Sequence, residues 1–90
     1  MEFEGDEEKR LRTLAQRGLD FALVRHFFDG RPTVHAPSER GGEDRVKTTA
    51  LFEEAALTLI WCWRGETIRV ISIRRAHEKE IRAHRQVHGR

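Results

Sequence analysis

Between Thr67 and Val87 the chain reads TIRVISIRRAHEKEIRAHRQV, a β-branched run that takes on arginines and passes into a basic, histidine-bearing segment. A guanidinium stays charged and its planar fork matches two oxygens of a phosphate. An imidazole takes up and returns a proton near neutral pH. Firm strand positions, fixed positive charge and a titrating group together suit a small protein that binds or cuts a polyanion such as RNA. RNA brings its own nucleophile, the 2′-hydroxyl. A protein need only remove that proton, stabilise the crowded phosphorane and protonate the departing 5′-oxygen, so no metal or cofactor is expected. The sequence has no dense carboxylate cluster, His–Cys zinc spacing or Gly-rich phosphate loop.

On this reading Arg69, Arg74 and His84 are the candidates for catalysis, and Arg45, Lys47, Arg75, Lys79 and Arg82 for contact with the RNA backbone. Arg69 and Arg74 fall on opposite faces of an ideal strand, so a bulge or a strand end is needed for both to meet one phosphate. Arg69 can instead pair with a surface acid. His77, Ile81, His84 and His88 share one helical stripe. Within that stripe His84 can act as acid or base, His84 with His88 can hold a metal, or the histidines can simply pack. Glu80 either orients His84, four residues on, or closes a salt bridge to Arg74 or Arg75, and the salt bridge is preferred. His26 and His35 belong to no such constellation and read as surface residues. Trp61 and Trp63 can stack on bases, but they alternate with Leu57 and Leu59, which favours a core role.

These residues need elements to hold them. Asp6 to Arg17 has acids in its first turn and Leu11, Leu14 and Ala15 at helical spacing, with Gly18 as its stop. Asp20 can cap a short second helix, Phe21 to Phe28, whose Phe21, Val24 and Phe28 should face the core. Arg31 to Val34 suits an edge strand ahead of Pro37, and Ser38 to Asp44 has the composition of a loop. Strands are expected at Arg45 to Leu51, Ala55 to Trp63 and Thr67 to Arg74, with Phe52-Glu53-Glu54 and Arg64-Gly65-Glu66 as turns, although FEEAAL also has helix-forming composition. On the last strand Arg69, Ile71 and Ile73 would share one face, and Ile68, Val70, Ser72 and Arg74 the other. A final helix runs from His77 to about His88. The expected fold is α+β: two N-terminal helices, a three- to four-stranded antiparallel sheet and a C-terminal helix.

Ninety residues make one domain, residues 1–90, with a modest core. Charged residues are 36% and hydrophobic residues 38%, which fits neither a disordered chain nor a membrane protein. The acidic start, MEFEGDEEKR, lacks the apolar stretch of a signal peptide, and the single Cys62 cannot form an internal disulfide, so a cytoplasmic location is expected. The net charge of +2 hides an asymmetry: residues 1–44 carry ten acids and seven Lys/Arg, whereas residues 69–90 carry seven Lys/Arg and two acids. That basic end is an electrostatic footprint for phosphate or simply a solvated helix face.

These residues resemble the BrnT family of toxins from bacterial type II toxin–antitoxin modules. Asp6, Lys9, Gly18, Leu19 and Phe21 fit its D-x-x-K…K/R-H-G-φ-x-F pattern (φ apolar), with Arg17 beside Gly18 in the place of its histidine. Ala22, Phe27, Phe28 and Asp29 fit the F-x-x-A…F-D stretch, and Arg45 is the arginine that ends GGEDR, like that of the family's G-E-E-R. The most specific piece is Ile68 to Ala76, similar to R-I-I-S-A-R-K-A, with Glu80 in the position that follows. The chain departs from the pattern at Thr13, at Arg17 where a histidine is usual, near Leu51, and at His84, which stands where the family usually has tyrosine. The resemblance implies a RelE/ParE-like fold and a metal-independent endoribonuclease that arrests translation. It also implies neutralisation, in a hetero-oligomer, by a cognate BrnA-like ribbon-helix-helix antitoxin, with no membrane partner. A non-catalytic protein that keeps the fold to bind antitoxin or RNA, or a ParE-like gyrase inhibitor, are the alternatives.

Overall fold

A computed structural model describes residues 2–5, 7–18, 21–38, 44–53 and 55–89. The elements are β1 (Glu2–Glu4), α1 (Glu7–Arg17), a 3-10 helix (Phe21–Phe28), β2 (Thr33–Pro37), β3 (Val46–Phe52), β4 (Ala55–Arg64), β5 (Thr67–Arg75) and α2 (Glu78–His88). The helix start at Asp6, the family position Leu19, the cap at Asp20, residues 39–43 of the expected loop and Glu54 of the turn lie outside the described residues. So do the side chains of Arg17, Phe21 and Ala22.

The α+β class is as expected, but the sheet is larger and mixed. Five strands run in the order β1-β5-β4-β3-β2. Strands β2 to β5 are antiparallel neighbours, while β1 lies parallel to β5, with Glu4 opposite Arg69. The sequence Glu2-Phe3-Glu4 is too short and too acidic to announce a strand. It exists because Phe3 can pack on Phe28, ring centroids 5.9 Å apart, while the backbone pairs with β5. Strand β2 starts two residues later than expected and runs through Pro37, which an edge position tolerates.

The second helix has the expected bounds but 3-10 geometry. With three residues per turn, Val24 and Phe27 stack on one stripe, and these two are its buried core residues. The expected α spacing selects Phe28 instead, which is only half-buried. In α1 the buried residue is Thr13, while Leu11 and Leu14 are exposed.

Strand β5 holds the main correction. Ile60 pairs with Ser72 and Trp61 with Val70, so Ile71 has no residue opposite it. This β-bulge reverses the alternation. Ile68, Val70 and Ile73 therefore share one face with Leu57, Leu59 and Trp61, and all are buried. Val24 and Phe27 of the 3-10 helix close this core. Arg69 and Arg74, expected on opposite faces, both fall on the other face, the one that α2 covers in part. Trp61 is core, with its indole N–H donating to Thr48 Oγ1 at 2.8 Å, while Trp63 is exposed.

Two glycines stop the chain where left-handed backbone is required. Gly65 at φ +63° opens the two-residue turn between β4 and β5, and Gly89 at φ +72° ends α2, its N–H donating to Arg85 O.

Candidate functional site

Helix α2 lies on the sheet through polar groups. Glu80 is buried, and its carboxylate accepts both terminal nitrogens of Arg74, at 2.8 and 2.9 Å. It also accepts the Thr58 hydroxyl at 3.0 Å and the His77 backbone N–H at 2.7 Å, and Lys47 Nζ stands 3.3 Å away. Burial works to raise the Glu80 pKa, but Arg74, His77 and Thr58 together hold it well below the usual carboxylate range. The preferred salt bridge from Glu80 is present, to Arg74. Two expected phosphate ligands, Arg74 and Lys47, are thus committed to one internal carboxylate.

His84 lies one turn further along α2 and is 1% exposed. Its Nε2–H donates to Pro32 O at 3.1 Å, while Nδ1 is buried with no partner among the described residues. His88 stacks beside it, ring centroids 4.6 Å apart, and donates from Nε2 to Thr33 O at 2.8 Å. An imidazole closed off in this way offers no nitrogen to an outside substrate. It joins α2 to the start of β2.

The remaining cations are dispersed. Arg69 stands 3.8 Å from Glu4 Oε1, with Arg64 3.7 Å from the same oxygen. This is the surface acid considered as an alternative, supplied by the unexpected strand β1. Arg45 is half-buried, its Nε without a hydrogen-bond partner among the described residues. Lys79 and Arg82 are exposed on α2.

Arg75 is different. It is exposed at the end of β5, opposite Leu57, so it projects on the face away from Arg74. Among the described residues its guanidinium has no carboxylate partner. It opens into a cleft of about 770 Å³ between the 3-10 helix and the β3–β4 hairpin, lined chiefly by Leu23, His26, Arg31, Phe52, Leu57 and Arg75. Arg31 is fixed there. It makes two hydrogen bonds to Asp29 from its side chain, donates to Leu51 O, and lies 4.2 Å from the centre of the Phe52 ring. The side-chain hydrogen bond from Arg31 is the chief reason the Asp29 carboxyl sits at about 2, below its ordinary 3.8. His26 lies on the same wall with Nδ1 3.8 Å from Asp29 Oδ2.

The arrangement is an open cleft with an apolar floor, rimmed by Arg31, Glu53, Arg75 and the accessible imidazole of His26; of its two arginines, Arg75 has no carboxylate partner among the described residues. The family model for "Ribonuclease toxin, BrnT, of type II toxin-antitoxin system" matches residues 6–80. The chain belongs to the BrnT family. Membership makes RNA the substrate class and an antitoxin the partner of this BrnT-family chain. No curated protein matches it. No helix among the described residues is long and apolar enough to cross a membrane.

The structure therefore brings Arg69 and Arg74 to one face and sets Arg75 on the other, with His84 enclosed. Sequence reasoning set His26 aside because its partner in the cleft is 49 positions away. The one local signal was Asp29 three residues after His26, at helical spacing.

Proposed function

We propose that this BrnT-family chain is an endoribonuclease toxin that cleaves RNA without a metal, arrests translation and is silenced by a ribbon-helix-helix antitoxin of the BrnA kind. The observation that carries the reading is Arg75 standing at the mouth of the cleft with no carboxylate partner among the described residues. A bound phosphate would meet a guanidinium that does not have to leave a carboxylate first. Losing one such preorganised donor typically costs ~3–4 kcal/mol of transition-state stabilisation. Arg69, Arg45, Lys79 and Arg82 supply sequence-independent attraction for the flanking backbone. Arg74 and Lys47 act through Glu80, fixing the end of β5 and hence the position of Arg75. His84 fastens α2.

The test is purified protein with single-stranded RNA in EDTA. Cleavage that Arg75→Ala cuts by about 100-fold or more, with unchanged Tm, supports the reading; intact RNA defeats it. Closure of His84 favours a second reading, a non-catalytic fold kept for antitoxin binding. Normal growth of cells that express the chain without antitoxin would support that alternative.

A further inference from the structure

We propose that His26 is the proton-transfer group of this ribonuclease, working from the cleft on the core side of the sheet. The inference rests on the endoribonuclease reading and assigns a residue to it. Three observations meet at His26. Its side chain is 49% exposed, so the ring can reach an incoming nucleotide. It shares the cleft with Arg75. Its Nδ1 faces Asp29, a carboxylate that Arg31 holds ionised, which leaves Nε2 available to the cleft.

Among the described residues, the charged groups around the ring and its cleft are Asp29 and Arg31 after the 3-10 helix, Glu53 at the β3–β4 turn and Arg75 at the end of β5. The floor beneath them is apolar, with Leu23, Phe52 and Leu57, and suits the face of a base. A nucleotide seated there would bring its 3′-phosphate to Arg75 and its 2′-hydroxyl to His26.

The step balances without a co-reactant. Neutral His26 takes the 2′-hydroxyl proton. The 2′-oxygen forms a bond to phosphorus, and the bond from phosphorus to the 5′-oxygen breaks with its electron pair. The imidazolium then gives the same proton to that 5′-oxygen. The products are a 2′,3′-cyclic phosphate and a 5′-hydroxyl end, and the imidazole is again neutral. Asp29 steadies the ring and its transient charge, so it is a positioning residue.

The experiment compares wild type, His26→Ala and Asp29→Asn on single-stranded RNA in EDTA, with Tm and RNA affinity measured alongside. His26→Ala should lose at least ~100-fold in turnover while Tm and affinity stay near wild type. Added imidazole should restore part of the loss. On the acid side of neutrality the wild-type rate should climb as pH rises, and His26→Ala should lose that climb. Asp29→Asn should lower turnover less and shift the climb along the pH axis. Should His26→Ala lower Tm, His26→Gln replaces it under the same criteria. Wild-type turnover in a folded His26 variant overturns this assignment and leaves the endoribonuclease reading standing. Intact RNA with wild type overturns both.

Discussion

At the scale of the residue, what matters is which charges are already spoken for. Half-buried Arg74 and buried Glu80 form a two-pronged pair, whereas Arg75, one position on, faces outward without a carboxylate among the described residues. Adjacent arginines in one signature therefore have different work. Arg74→Ala should destabilise the fold by about 3 kcal/mol, because it takes the two-pronged partner from a buried carboxylate and leaves Lys47, at 3.3 Å, as its remaining cation among the described residues. Arg75→Ala should leave stability within about 0.5 kcal/mol, as surface changes do. Urea melts of the two variants check this contrast. His84 belongs with Arg74. Its replacement by Ala removes a buried ring and its bond to Pro32 O, and should cost about 2–4 kcal/mol. The turnover of the protein that remains folded should stay close to wild type, which a melt paired with an RNA cleavage assay will show.

Glu80 adds a pH dependence with a definite sign. Its carboxyl titrates lower in the folded chain than in the unfolded one, where 4.5 is ordinary. The unfolded state then binds the proton more readily. The stability Glu80 brings is fully present above about 4.5 and is lost as pH falls from there through the lower folded value. Wild type should therefore lose Tm on acidification below that point more steeply than Glu80→Gln, which starts less stable at neutral pH. Parallel Tm curves for the two proteins from pH 6 to pH 3 would show that Glu80 is not the group responsible.

At the scale of the element, the chain declares periodicity well and exceptions poorly. The bounds of α1, β4, β5 and α2 follow from caps, glycines and alternation visible in the sequence. Arg69 and Arg74 were separable only as far as strict alternation held, and the bulge at Ile71 broke it. Nothing in VISIR marks the extra residue, because bulges are set by what the partner strand and the packed faces require. The 3-10 helix shows the same limit, since its stripe of Val24 and Phe27 differs from the α stripe by a single residue. That difference can be measured. Phe27→Ala should cost about 3–5 kcal/mol and Phe28→Ala clearly less, because only Phe27 is enclosed by the core. Equal losses in thermal melts would mean that the helix presents the α stripe after all. The cleft was not legible for a related reason. It joins His26, Phe52 and Arg75, which meet only when the 3-10 helix is laid on the sheet.

At the scale of the whole molecule, the charge asymmetry gains a shape. The Lys/Arg of this basic end that the structure describes do not form one patch. Arg69 lies on the face shared with Glu4, Arg74 is half-buried against Glu80, Arg75 faces the cleft, and Lys79, Arg82 and Arg85 stand out on α2. A flexible single strand can touch several of these at once, whereas only Arg75 is beside the apolar floor. Phosphate contacts to a single strand release counterions, and each lowers the slope of log affinity against log salt by about 0.7. Engagement of Arg75, Lys79 and Arg82 together would thus give a slope near −2. Arg75→Ala should make it shallower by about 0.7 and cut turnover by about 100-fold or more. Lys79→Ala should make the same change in slope yet leave turnover at saturating RNA intact. Salt titrations of RNA binding, run beside cleavage assays on each variant, separate a cation that merely attracts the strand from the one that meets the scissile phosphate. If Lys79→Ala reduced saturated turnover as much as Arg75→Ala, the cleft would lose its claim to be the place where the chain is cut.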